Sequence, residues 1–66
     1  MKVYIMTKAR PFQKEEYVAV KKSKKECEKA FRDMFPYMRK SDFGENYVSD
    51  KDLNHAYLLF IHEEEV

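Results

Sequence analysis

The sequence predicts an α+β fold. It reads as a small two-layer sandwich, one amphipathic helix on a sheet of three to four mainly antiparallel strands, in the order β-β-α-(β)-β. Three observations predict it. Segments rich in β-branched and aromatic residues stand near both ends, "KVYIMT" and "AYLLFIHEEE". A stripe of apolar residues at helical spacing lies between them. The chain has 66 residues, which supports one core and one domain, 1–66.

"KVYIMT" (2–7) reads as the first strand. Val3 and Ile5 fall on one side and Tyr4 and Met6 on the other, so both faces are apolar. "KARPFQKEE" follows as a loop, because Pro11 lacks an amide hydrogen and biases Arg10 away from helix. "YVAVKK" (17–22) is the second strand, most simply paired antiparallel with the first.

Ser23 then opens a helix. Ser at the cap with Glu26 three residues on is the pattern of a capping box. Cys27, Ala30, Phe31, Met34 and Met38 recur at helical spacing. Pro36 disfavours helix at Phe35, yet Met38 stays on the stripe. The helix either stops near Met34 or kinks at Pro36 and runs a further turn to Arg39, and the place of Met38 on the stripe favours the kink. "KSDFGENYVSDKDLNH" is turn-rich: the sole glycine, Gly44, is expected at positive φ, and "NYVS" as a short strand. "AYLLFIHEEE" (56–65) is the last strand. Leu58 and Phe60 share one face; Tyr57, Leu59 and Ile61 share the other.

Composition narrows the classes. Hydrophobic residues make up 44% and charged residues 38%, which is not the composition of a disordered chain. Cys27 is the only cysteine, so no disulfide forms within the chain, and a reducing compartment is expected. The start is too short of apolar residues for a signal peptide, and "AYLLFI" is far below the about 20 residues of a membrane span. A cytoplasmic protein with no membrane contact is the expectation. The net charge of +1 conceals an uneven distribution. Residues 1–20 are mildly basic, 21–40 strongly basic and 41–66 acidic.

A single helix covers one sheet face and leaves the other with large residues on it. An exposed apolar patch on a small domain marks a contact surface. The residues assigned to it are Tyr4, Met6, Tyr17, Tyr57, Leu59 and Ile61, rimmed by the acidic loop of Asp42, Glu45, Asp50 and Asp52. A homodimer or another protein would cover the patch; the competing arrangement has 41–55 fold across it. The helix supplies a second candidate. Lys25, Lys29 and Arg32 lie opposite the apolar stripe, with Arg39 and Lys40 beyond, as a phosphate backbone would require. Glu28 and Asp33 stand four residues from Arg32 and Lys29, so intrahelical pairs would neutralise part of this stripe.

The remaining residues point elsewhere weakly. His62 beside Glu63, Glu64 and Glu65 lacks the three or four convergent ligands of a zinc site, and His55 is not spaced to join them. No nucleophile or oxyanion feature accompanies a His–Glu pair. Cys27 sits on the buried stripe, where packing explains it. No cofactor or metal is called for. The size, hairpin-plus-helix core and charge-dense surface are similar in style, without a quotable motif, to accessory proteins of phages and mobile elements. The sequence thus predicts a non-enzymatic protein-binding module, an inhibitor or regulator of a larger protein. The alternative is a nucleic-acid-binding module using the basic outer face of the helix.

Overall fold

A computed structural model describes residues 1–41, 46–50 and 55–66. The class is α+β, as expected: one helix packs on an antiparallel sheet. The elements are β1 (Lys2–Ala9), β2 (Glu16–Lys21), α1 (Lys24–Met34), β3 (Arg39–Lys40), β4 (Tyr47–Val48) and β5 (Leu58–Glu65). The sheet has five strands in the order β2-β1-β5-β4-β3. The additional strand relative to the sequence reading is β3, two residues long.

β1, apolar on both faces, is an interior strand that pairs with β2 on one side and β5 on the other. Met6 lies opposite Ile61 on β5 and Ala19 on β2. A register shift between Met6 and Thr7 inserts one extra residue into β2, a bulge that bends this edge strand. The β1–β2 connection turns tightly at Arg10–Gln13, where the Gln13 amide donates to the Arg10 carbonyl at 3.0 Å. Pro11 sets φ for the first central position, and Phe12 takes φ 65° at the second.

α1 begins at Ser23, whose hydroxyl accepts from the Glu26 amide at 3.2 Å. Glu26 reciprocates one residue further out than a standard capping box, its carboxylate accepting from the Lys22 amide at 3.1 Å. The helix ends at Met34, not at Arg39. Phe35 is extended (φ −132°, ψ 92°), the geometry that a following proline imposes. The kink predicted at Pro36 is therefore a termination, and Arg39 and Lys40 enter the sheet instead.

The core sits between α1 and one sheet face. Met6, Cys27, Phe31 and Leu59 are fully buried there, joined by Tyr47. Tyr4, Val18, Ala30, Phe35, Met38, Tyr57 and Ile61 close its margin. Burying each large side chain stabilises the fold by about 1.5–3 kcal/mol. Gly44 and the acidic residues Asp42, Glu45 and Asp52 lie outside the described residues.

Candidate functional site

Strand register decides which residues the helix covers. Residues paired across an antiparallel ladder point to the same side. Tyr4 pairs with Glu63, Met6 with Ile61, and Lys8 with Leu59, and these face α1. Val3 pairs with Glu64, Ile5 with His62, and Thr7 with Phe60, and these face away from it. On β2, Val20 lies opposite Ile5, and Tyr17 opposite Thr7, so both join the face away from α1.

Of the six residues assigned from the sequence to the contact patch, Tyr4, Met6, Tyr57, Leu59 and Ile61 lie on the helix side. Met6 and Leu59 are fully buried and from there cannot meet a partner. Tyr57 packs against Phe35, with ring centroids 6.1 Å apart, and lies under the Lys8 ammonium and Arg10 guanidinium. Tyr17 alone of the six stands on the opposite face, 68% exposed. Of the acidic rim, Asp50 is described and is half-buried.

The open face is consequently a different set of residues. Val3, Ile5 and Phe60 are half-buried there; Val20 and Tyr17 are more exposed. Among the described residues no helix lies over it. Towards β4 the face closes, since Ala9 and Val48 are buried. A polar cluster crosses its middle. The Glu15 carboxylate accepts from the Thr7 hydroxyl at 2.6 Å and meets His62 Nε2 at 2.6 Å. The His62 ring stacks on Phe60 at 6.0 Å. The Thr7 hydrogen bond, then the His62 contact, hold the Glu15 carboxyl below the ordinary value. In this cluster both Thr7 and His62 bind the carboxylate, and no bond joins hydroxyl to imidazole. It therefore lacks the nucleophile–base contact of a catalytic triad.

Glu63, Glu64 and Glu65 divide by face and partner. Glu63 receives Lys2 at 3.5 Å and the Tyr4 hydroxyl at 3.2 Å, and Glu65 receives the terminal ammonium at 3.3 Å. Glu64, on the open face, has no ion pair among the described residues.

The basic candidate is also partly assembled. Lys25, Lys29 and Arg32 line one shallow groove with Glu28 and Asp33, and Arg32 lines the next with Arg39, Lys40, Met38 and Tyr47. The intrahelical pairing expected from Glu28 does not form. Its carboxylate accepts from the Tyr47 hydroxyl at 2.5 Å instead. Among the described residues, Lys25, Lys29 and Arg32 have no ion pair. Burial, and then the Glu28 carboxylate, push the Tyr47 phenol up to about 12.

Cys27 is buried, its thiol 3.8 Å from the Tyr4 carbonyl, and burial raises its pKa. That is the setting of a packing residue, not of a reactive thiolate. No group of three or more His, Cys, Asp or Glu among the described residues could hold a metal ion. No described helix is long and apolar enough to cross a membrane.

The open face escaped the sequence because both faces of β1 and β5 are apolar. Alternation then leaves two equivalent choices, and the phase is set by how α1 docks. No family model matches the chain, and neither a curated protein nor a solved structure matches it significantly.

Proposed function

We propose that the chain is a small non-enzymatic protein-binding module that docks through the sheet face opposite α1. The observation that carries this reading is the placement of Val3, Ile5, Phe60, Val20 and Tyr17 together on a face over which no described helix packs. Apolar groups on a flat sheet gain from burial without needing a cavity. The Glu15–Thr7–His62 cluster supports the same reading. Thr7 and His62 both hold Glu15 Oε1, so the carboxylate enters such an interface already positioned by two contacts.

The test compares the tagged wild-type chain with the double variant Tyr17→Glu/Val20→Glu in nuclease-treated lysate. Both positions are exposed, so the variant is expected to keep the wild-type circular dichroism spectrum. Protein held by the wild type, untagged copies of the chain included, is expected to be lost from the variant. Equal retention by both, or retention by neither, removes the reading.

A second reading rests on the outer surface of α1. Diversion of Glu28 to Tyr47 leaves Lys25, Lys29 and Arg32 less neutralised than their spacing suggests, next to Arg39 and Lys40. Such a surface would bind nucleic acid through phosphates, with affinity falling steeply as salt rises. Fluorescence anisotropy with a labelled oligonucleotide measures this. Binding that Lys29→Glu weakens several-fold and added salt abolishes supports it; salt-independent or absent binding removes it.

A further inference from the structure

We propose that the occupant of the open face is a second copy of this chain, related by a two-fold axis that runs along β1. This inference rests on the protein-binding reading of that face and names the partner.

The case is made by the charge pattern at one end of the sheet. β2 and β5 both run antiparallel to β1, which lies between them, so their C-terminal ends lie at the same end of the sheet, on opposite sides of β1. On the β2 side, Lys21 pairs with Tyr4 and so faces α1, and Lys24 opens α1; continued alternation puts the exposed Lys22 on the open face, and its side chain has no ion pair among the described residues. The β5 side ends in Glu63–Glu65. Two of these are already engaged, and Glu64 on the open face is not. One rim of the face thus carries Lys22 and the other Glu64, at the same height.

Aligned sheets pack with strand directions within about 30° of each other. Two arrangements of identical faces satisfy this with a two-fold axis between the sheets. An axis along β1 exchanges left and right and keeps the strand direction. It lays β2 of each copy over β5 of the other. Lys22 then comes opposite Glu64 of the second copy, and by symmetry the pair forms twice. Tyr17 falls opposite the second copy's Phe60, an aromatic pair, and Val3 and Ile5 meet their own equivalents near the axis, as does each Glu15 carboxylate, held by its own Thr7 and His62. An axis across the strands reverses them instead. It sets Glu64 against Leu58 of the second copy and leaves the lysines facing no acid. Complementary potentials fix orientation more than they add affinity, and here they select the axis along β1.

The β2 edge is a poorer surface for self-association. Its bulge interrupts the ladder that a second β2 would need, a device that protects edge strands. A dimer through the open face also leaves both α1 surfaces outermost, with their lysines in water.

Sedimentation equilibrium of the full chain tests the proposal. The wild type is expected to be a dimer. Ile5→Glu adds two further carboxylates near the axis that, unlike those of Glu15, have no Thr7 or His62 to hold them, and is expected to give a monomer with an unchanged circular dichroism spectrum. Should Ile5→Glu unfold, Tyr17→Glu, at an exposed position, makes the same test. Glu64→Lys, at the rim, is expected to weaken dimerisation about tenfold, because two pairs are lost per dimer. The double variant Lys22→Glu/Glu64→Lys is expected to restore it. A monomeric wild type overturns the proposal, as does a dimer that survives both Ile5→Glu and Tyr17→Glu. Failure of the double charge reversal to restore association overturns the axis. If the wild type is monomeric while Tyr17→Glu/Val20→Glu still loses a captured protein, the second copy is excluded and the protein-binding reading stands.

Discussion

At the scale of single residues, two side chains hold conformations that composition does not predict. Tyr47 belongs to a two-residue strand, yet it reaches the helix, and its hydroxyl is held by Glu28. Removing that hydroxyl in Tyr47→Phe deletes a hydrogen bond to a charged acceptor and is expected to cost about 1 kcal/mol in urea unfolding. The same bond makes a pH statement. The folded phenol titrates near 12 and the unfolded one near 10. The folded state therefore keeps a proton that the unfolded state has released, and stability falls as pH rises from about 10 to about 12. Absorbance at 295 nm is expected to show a tyrosinate step near 12 that vanishes in Tyr47→Phe; an unaltered titration would sink the assignment. Phe12 is the second case. It is fully exposed and sits at φ 65°, a region that costs a non-glycine residue about 1–2 kcal/mol. Glycine relieves that strain but adds entropy to the unfolded chain, about 0.5–1 kcal/mol. Phe12→Gly is thus expected to raise the urea midpoint, with a net gain of about 0.5 kcal/mol. A lowered midpoint would mean that the ring packs against something in solution.

At the scale of elements, the sequence was legible wherever a local rule acts alone. Ser23 and Glu26 marked the start of α1 because capping depends on neighbours in the chain. Ser23→Ala is expected to destabilise the protein by about 1 kcal/mol, and Ser23→Asp to keep most of that, since aspartate caps equally well. Equal losses in the two variants, measured by thermal unfolding, would show that the hydroxyl serves packing instead. The end of α1 was misread for an instructive reason. Met38 fits the helical stripe by spacing, and it does reach the core, but from the turn after Pro36, where its amide donates to the Phe35 carbonyl. Periodicity identified a buried side chain without identifying the backbone that delivers it. The strands show a related gap. β1 and β5 were found because of their composition, whereas β3, two exposed basic residues, carries no strand signal and exists only by pairing with β4.

At the scale of the whole molecule, the difficulty is one of parity. Two apolar faces on each long strand announced that something must cover both, which was legible. Which face belongs to α1 was not, because that depends on the docking of a helix that ends at Met34, far along the chain from β5 at Leu58–Glu65. Five of the six assigned patch residues proved to lie on the helix side for this reason alone, and the lone survivor, Tyr17, sits just before the β2 bulge. The same parity bears on stability. A domain this small buries only about 60% of the surface its unfolded chain exposes, so its margin is narrow. A second copy on the open face binds the folded chain and not the unfolded one, and mass action then links folding to concentration. The melting temperature of the wild type is accordingly expected to rise with protein concentration, by a few degrees for each tenfold increase. In Ile5→Glu it is expected to be lower and independent of concentration. The contrast matters more than either value. A packing defect at Ile5 would lower the melting temperature of a monomer without creating a difference in concentration dependence. Loss of association removes that dependence. If the wild type melts at one temperature from micromolar to millimolar concentration, the sheet carries its exposed face unaided, and the core under α1 supplies all of the stability.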